Sequence, residues 1–315
     1  MIKAENLKKS FTTGIFRKRQ IEVLKGVSFE IQAGETLGLV GESGCGKSTL
    51  AKIIVRLLPL SSGKIFFEGK DLTSLKTSEM QKTRSKMQLI LQHPEAALNP
   101  RMKIYDCIVE PLRIHGLAEK GSKEERAIVE KLIEVVGLQP EHLTRYSKEI
   151  SGGQAQRAVL ARILSLEPKF IVADEPTSML DVSVQAQILN LLKDIQKKFN
   201  MAYLFVSHDL EVVRWMSDRI AVMYKGNIIE IGRSEKVLEN PIHPYTKSLV
   251  ENIVNPLKAM KKSSKKEKTS PAFLDWKDDA ACSYCISCPN VHQVCGSKPQ
   301  LQEVETGHHV ACWFG

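Results

Sequence analysis

From Met1 to about Ile231, short β-branched runs alternate with longer stretches of helical periodicity, the pattern of a mixed α/β layer fold. Phe29–Val40 divides into two strands joined by a turn at Ala33-Gly34. Phe170–Asp174 and Ala202–Ser207 are apolar almost throughout and bounded by polar residues, as the central strands of a parallel sheet are. Between them, Ser183–Phe199 repeats apolar residues at helical spacing through Val184, Ile188, Leu191, Leu192 and Ile195. Pro94–Leu166 is dominated by helical periodicity broken at Gly116, Gly121, Gly137 and Gly152, which predicts an inserted helical subdomain over about 94–166. The pattern yields a main domain at 1–257 that includes a short helical extension at 233–257. A lysine-rich linker follows at 258–270, then a compact cysteine-rich tail at 271–315.

The chain has 315 residues, 43% hydrophobic and 26% charged, enough for a full core plus an appendage and ordinary for a globular protein. Its longest apolar stretches, Ile53–Val55 with Leu57–Leu60, fall far short of the roughly 20 residues a membrane-spanning helix needs. The first ten residues are charged and lack a secretory apolar run, so residence in the cytoplasm is expected. The net charge of +9 owes much to Lys258–Lys268, a stretch that reads as a flexible linker or as a contact for anionic lipid headgroups.

Candidate chemistry enters where the second strand of Phe29–Val40 ends. Gly41-Glu-Ser-Gly-Cys-Gly-Lys-Ser48 follows it directly, and Lys47–Arg56 reads as the next helix. This strand–loop–helix setting is the one in which such a sequence cradles phosphates. Glycines at 41, 44 and 46 permit the tight turn that aims successive backbone N–H groups inward. Lys47 then reaches the β- and γ-phosphates, Ser48 supplies an oxygen to Mg²⁺, and the helix N-terminus adds its dipole. Asp174 and Glu175, at the end of an apolar strand, suit the Mg²⁺ shell and the polarisation of an attacking water respectively. His208, just past the strand Ala202–Val206, is expected beside the γ-phosphate. Cys45 reads as a small side chain tolerated within the loop, and Cys107 as a core residue.

With Gln92, the segment Ser151-Gly-Gly-Gln154, the Met179–Asp181 turn and His208 in this order, the chain resembles the ATP-binding cassette superfamily from Met1 to Asn255. The resemblance implies a P-loop NTPase core with an antiparallel β subdomain and an inserted helical subdomain. It also implies an ATPase in which two subunits share each ATP. On that basis ATP and Mg²⁺ contact Phe11, Gly41, Ser43, Gly44, Cys45, Gly46, Lys47, Ser48, Thr49, Gln92 and Asp174. Glu175, His208 and Gln92 act in catalysis. Ser151, Gly152, Gly153, Gln154 and Asp181 face the nucleotide held by the opposite subunit. Ile150 and Ala155 stand where leucine and arginine are usual, and neither change removes an essential group.

Leu98–Met102, Asp181–Asn190 and Asn240–Lys247 are similar to characteristic segments of the peptide and nickel uptake group. That likeness implies an importer subunit for di- or oligopeptides on the cytoplasmic face of the membrane. Its implied partners are a related ATPase, in a heterodimer rather than a homodimer, two permeases and an external binding protein. Nickel or a metal chelate is the alternative cargo. A soluble cassette ATPase acting on DNA or the ribosome is the rival from another class; it usually carries two cassettes or a long coiled coil, and this chain shows neither.

Five of the seven cysteines, Cys282, Cys285, Cys288, Cys295 and Cys312, lie in the tail, a density that in a cytosolic chain points to metal rather than disulfides. Four thiolates suit tetrahedral zinc and a [4Fe–4S] cluster equally on ligand count. The tail resembles the C-terminal module of peptide transporter ATPases, which favours the cluster on Cys282, Cys288, Cys295 and Cys312, with Cys285 as a fifth candidate.

Overall fold

The computed structural model describes residues 1–14, 19–254 and 281–314. The lysine-rich linker at 258–270 and the first ten residues of the tail lie outside them. Strands β1 (Ile2–Thr13) and β2 (Arg19–Ile31) form a long antiparallel hairpin, and β3 (Thr36–Val40) leads through the glycine loop into helix α1 (Lys47–Ile54). β4 (Ser62–Phe67), β5 (Lys70–Asp71), α2 (Thr77–Arg84) and β6 (Met87–Ile90) follow. The helical insertion consists of α3 (Ile104–Ile114), α4 (Lys123–Val136) and α5 (Gly152–Leu164). The chain then alternates through β7 (Phe170–Asp174), α6 (Val182–Phe199), β8 (Ala202–Val206), α7 (Leu210–Met216), β9 (Arg219–Tyr224) and β10 (Asn227–Arg233). Helices α8 (Ser234–Glu239) and α9 (Pro244–Val254) and the tail strands β11 (Gln302–Glu305) and β12 (His308–Val310) complete it.

The antiparallel sheet runs β2-β1-β4-β5, and the larger sheet runs β11-β12-β10-β9-β3-β8-β7-β6. Within the latter, β9, β3, β8, β7 and β6 are mutually parallel. Every residue of β3, β7 and β8 is buried, which is why those segments are apolar almost throughout, Thr36 and Asp174 apart, instead of alternating. One apolar cluster lies between this sheet and the antiparallel sheet with α1; the other packs the helical insertion, α6 and α7 on the remaining face. Cys107 is fully buried in the second cluster. The tail does not stand apart from the core: β12 pairs with β10, with Glu230 opposite Val310 and Ile231 opposite His309.

Helix boundaries follow local chemistry. Ser122 caps α4 by accepting from the Glu125 N–H, and Gly137 ends it in the left-handed conformation at φ 67°. Ser151 accepts from the Gln154 N–H while Gln154 Oε1 accepts from the Ser151 N–H. The glycine-containing signature is thus also a capping box that starts α5. Asp181 caps α6 by accepting from the Val184 N–H, and Asp209 caps α7 by accepting from the Glu211 and Val212 N–H groups.

The helical insertion is pinned by a fully buried carboxylate, Glu125. Arg113 grips it with two parallel bonds, Nε to Oε2 at 2.6 Å and Nη2 to Oε1 at 2.9 Å. The Tyr105 hydroxyl and the Gly121 N–H also donate to it. The Arg113 hydrogen bonds hold the Glu125 pKa down to about 2. Because the folded value is the lower one, the stabilisation is complete above the usual glutamate pKa near 4.5 and is lost as pH falls toward 2. Replacing Arg113 with Met strands a buried charge, and chemical denaturation at pH 7 is expected to show a loss of about 3 kcal/mol. A loss under about 0.5 kcal/mol, the level of an exposed pair, would show that the grip contributes nothing.

Candidate functional site

The C-terminal ends of β3, β7 and β8, with the loop after β6, converge on one edge of the sheet, and the chemistry-bearing side chains stand there. β3 ends at Val40 and the chain turns at once through Gly41–Gly46. Gly41 has φ 150°, and a Cβ on it would lie 2.1 Å from the Met223 carbonyl oxygen, so no larger residue fits. Lys47 is buried, and its Nζ donates to the Gly41 carbonyl at 2.6 Å and the Glu42 carbonyl at 3.1 Å. The ammonium is therefore folded over the loop it belongs to. Ser43, Gly44 and Ser48 are exposed on the loop and Thr49 is half-buried behind them. Cys45 is buried, and burial pushes its thiol pKa up, so it stays a neutral wall residue.

Ser48 Oγ donates to Asp174 Oδ1 at 3.2 Å, joining the loop to the end of β7. Burial, opposed by that bond and reinforced by the Glu175 charge, raises the Asp174 pKa. A hydroxyl and a buried carboxylate so close together are hard oxygen donors, and they fit Mg²⁺. Glu175, the next residue, has the left-handed value φ 50°, a strained conformation for glutamate. Gln92 Nε2 donates to Glu175 Oε2 at 3.0 Å, and His208 Nδ1 lies 3.3 Å from Glu175 Oε1. Gln92, Asp174, Glu175, His208, Lys47 and Ser48 thus form one connected group drawn from four separate stretches of chain.

The other expected residues stand elsewhere. Ser151, Gly152, Gly153 and Gln154 form the exposed to half-buried first turn of α5, and Asp181 is exposed at the start of α6. Among the described residues, no hydrogen bond or ion pair joins these positions to Gly41–Ser48. Met179 and Val182 flank Asp181 as exposed apolar residues. Phe11 lies on β1 opposite Ile21, with Lys9 Nζ 4.8 Å from its ring centroid.

In the tail, Cys282, Cys285, Cys288, Cys295 and Cys312 all line one cavity. Burial pushes the Cys282 thiol up to about 11 and raises Cys285 and Cys288 as well. The expected metal ligation is not supported: among the described residues, no three His, Cys, Asp or Glu side chains are arranged to hold an ion. The thiols surround a common space without closing into a coordination shell.

Two groups escaped the sequence reading. Glu230 is fully buried and takes the N–H groups of Ile242 and His243 at 2.9 Å each, and the His308 ring Nε2 at 2.8 Å. It ties the tail to the core. Tyr245 accepts a bond at 3.0 Å from the Glu42 N–H inside the glycine loop. Its segment, Asn240–Lys247, was conspicuous in the sequence, but no periodicity connects it to a loop 203 positions earlier.

A family model described as "ABC transporter" matches residues 24–178, and one described as "Oligopeptide/dipeptide transporter, C-terminal region" matches 229–295. The putative oligopeptide transport ATP-binding protein YkfD of Bacillus subtilis is 44% identical over 318 residues, covering 99% of this chain and 94% of that protein. The dipeptide transport ATP-binding protein DppF of Lactococcus lactis is 48% identical over 258 residues, covering 81% of this chain and 82% of its own. Among solved structures, the dimeric ATP-binding cassette MJ0796 in a post-hydrolysis state bound to ADP and Pi superposes with a TM-score of 0.67 at 28% identity, covering 74% of this chain and 99% of that one.

The glycine loop supplies a sharp test of the site. A Gly41→Ala chain meets the Met223 carbonyl with its new methyl group and is expected to lose most of its ATP affinity while keeping its far-ultraviolet circular dichroism. Unchanged ATP binding by isothermal titration would contradict the tight-turn account.

Proposed function

The chain belongs to the ABC transporter family, in its oligopeptide/dipeptide branch, and we propose that it hydrolyses ATP at the Lys47–Asp174–Glu175 edge of its sheet to drive peptide import. The observation that carries this reading is the placement of Glu175. One carboxylate oxygen is held by Gln92 and the other faces His208, next to the Ser48–Asp174 pair.

In this reading the loop N–H groups and the N-terminus of α1 receive the phosphates, and Lys47 turns from the Gly41 and Glu42 carbonyls to the β- and γ-phosphates. Ser48 and Asp174 would hold Mg²⁺, which when bound neutralises charge developing on the phosphate oxygens. Glu175 orients and polarises the attacking water as general base, and His208 steadies the γ-phosphate side. Gln92, in hydrogen-bond contact with Glu175 and at the entrance to the helical insertion, senses whether the site is filled.

The exposed first turn of α5, with Asp181 and its apolar neighbours Met179 and Val182, caps the nucleotide of a second ATPase subunit. That subunit is a related, non-identical chain, and the pair docks peripherally on two permeases served by an external binding protein. Among the described residues no helix is long and apolar enough to cross a membrane, so such an association rests on partner contacts. In the tail the finer reading is a [4Fe–4S] cluster, or zinc, on Cys282, Cys288, Cys295 and Cys312, with Cys285 as substitute. Their common cavity supports it, and iron and zinc analysis of anaerobically purified protein tests it, absence of both metals overturning it.

Exchanging Glu175 for Gln keeps its size and its bond with Gln92 but removes the base. Hydrolysis is expected to fall by about 10²–10⁴-fold while ATP binding persists, leaving a closed dimer visible by size-exclusion chromatography with Mg-ATP. A variant hydrolysing at the wild-type rate would remove Glu175 from the mechanism.

A further inference from the structure

The phosphate loop is held from behind by residues that lie far away in sequence. The Gly226 N–H, in the turn between β9 and β10, donates to the Cys45 carbonyl at 3.0 Å. Tyr245, near the start of α9, accepts from the Glu42 N–H at 3.0 Å. The second contact matters for chemistry because of what lies on the other side of the same residue. The Glu42 carbonyl accepts from Lys47 Nζ at 3.1 Å, and the Gly41 carbonyl accepts from it at 2.6 Å. Glu42 is thus held between the Tyr245 phenol on its N–H and the Lys47 ammonium on its carbonyl.

Tyr245 is itself fixed. It is only 3% exposed, and its N–H donates to His243 Nδ1 at 3.0 Å. Its ring centroid lies 4.6 Å from that of Tyr224 and 5.5 Å from that of Tyr284. Tyr284 stands edge-on to Tyr224 at 5.2 Å, closing a three-ring cluster. Aromatic contacts of this kind each contribute beyond their buried area. Two of the rings belong to the core and its extension, whereas Tyr284 sits among the tail cysteines, between Cys282 and Cys285. Burial raises the Tyr245 pKa, so its hydroxyl stays neutral and available to hydrogen-bond.

We propose that Tyr245 is a positioning residue for ATP binding: its hydroxyl sets Glu42 and, through it, the reach of Lys47, and the cysteine-rich tail keeps Tyr245 in place by packing Tyr284 against its ring. This rests on the reading of the loop as the ATP site. It adds that the tail acts on nucleotide affinity through the packing of Tyr284 against Tyr245.

The test uses the full-length chain and reads equilibrium binding by displacement of trinitrophenyl-ATP with ATP, alongside thermal unfolding with and without Mg-ATP. Wild-type protein that binds no ATP would sink the ATP-site reading itself, separately from this proposal. With binding in hand, Tyr245→Phe removes one hydroxyl and preserves the ring cluster. It is expected to weaken ATP affinity about three- to tenfold, the worth of one hydrogen bond, and to shrink the ATP-induced rise in Tm with little change in the Tm of the free protein. Tyr284→Leu keeps the hydroxyl but loosens the ring and is expected to weaken affinity in the same direction by a smaller factor. Tyr203→Phe is the comparison, since its buried hydroxyl donates to the Leu192 carbonyl, away from the loop. It is expected to lower the Tm of the free protein and leave ATP affinity unchanged. Wild-type affinity in Tyr245→Phe, or equal weakening in Tyr203→Phe, would overturn the assignment.

Discussion

Parallel register between four strands is the constraint on which the site depends. Leu39 of β3 lies opposite Val206 of β8, Val206 opposite Asp174 of β7, and Ala173 of β7 opposite Ile90 of β6. Because parallel strands all point the same way, their C-terminal ends finish on one edge. There the glycine loop, Asp174 with Glu175, His208 and Gln92 meet without any of them being adjacent in sequence. A slip of one residue in this pairing would reverse the faces of β7 or β8 and disperse the group.

That Gly41–Ser48, Asp174, Glu175 and His208 stand at strand ends was legible from sequence because each signal is local. A glycine loop between strand and helix, two carboxylates ending an apolar strand, and a histidine after another each carry their structural context within about ten residues. Ser151–Gln154 drew notice in the sequence only through the family resemblance; that it is also a capping box emerged from the hydrogen bonds that start α5. The strain at Glu175, with φ 50°, left no mark in the sequence. It arises where the chain turns off the strand end and two successive carboxylates take different partners, Asp174 with Ser48 and Glu175 with Gln92 and His208.

What the sequence concealed was long-range. The tail reads as an appendage after a lysine-rich stretch, yet β12 extends the main sheet and His308 reaches the buried Glu230. The cysteine pattern announced five thiols but not their spacing in three dimensions, and they line a cavity without converging as ligands. The Tyr245 contact with Glu42 spans 203 positions and depends on a packing of three rings that no local pattern encodes. His308 with Glu230, and Glu42 with Tyr245, are polar groups that found their partners in distant elements, as desolvated donors and acceptors must.

The central claim is that one ATP is held by this chain's phosphate loop and capped by the first turn of α5 from another ATPase subunit. Specific ATPase activity across a dilution series of the assembled pair tests it most directly. A shared site requires activity per subunit to fall steeply once dilution separates the two chains and to return on reconcentration. Activity per subunit that stayed constant down to fully separated chains would contradict the account.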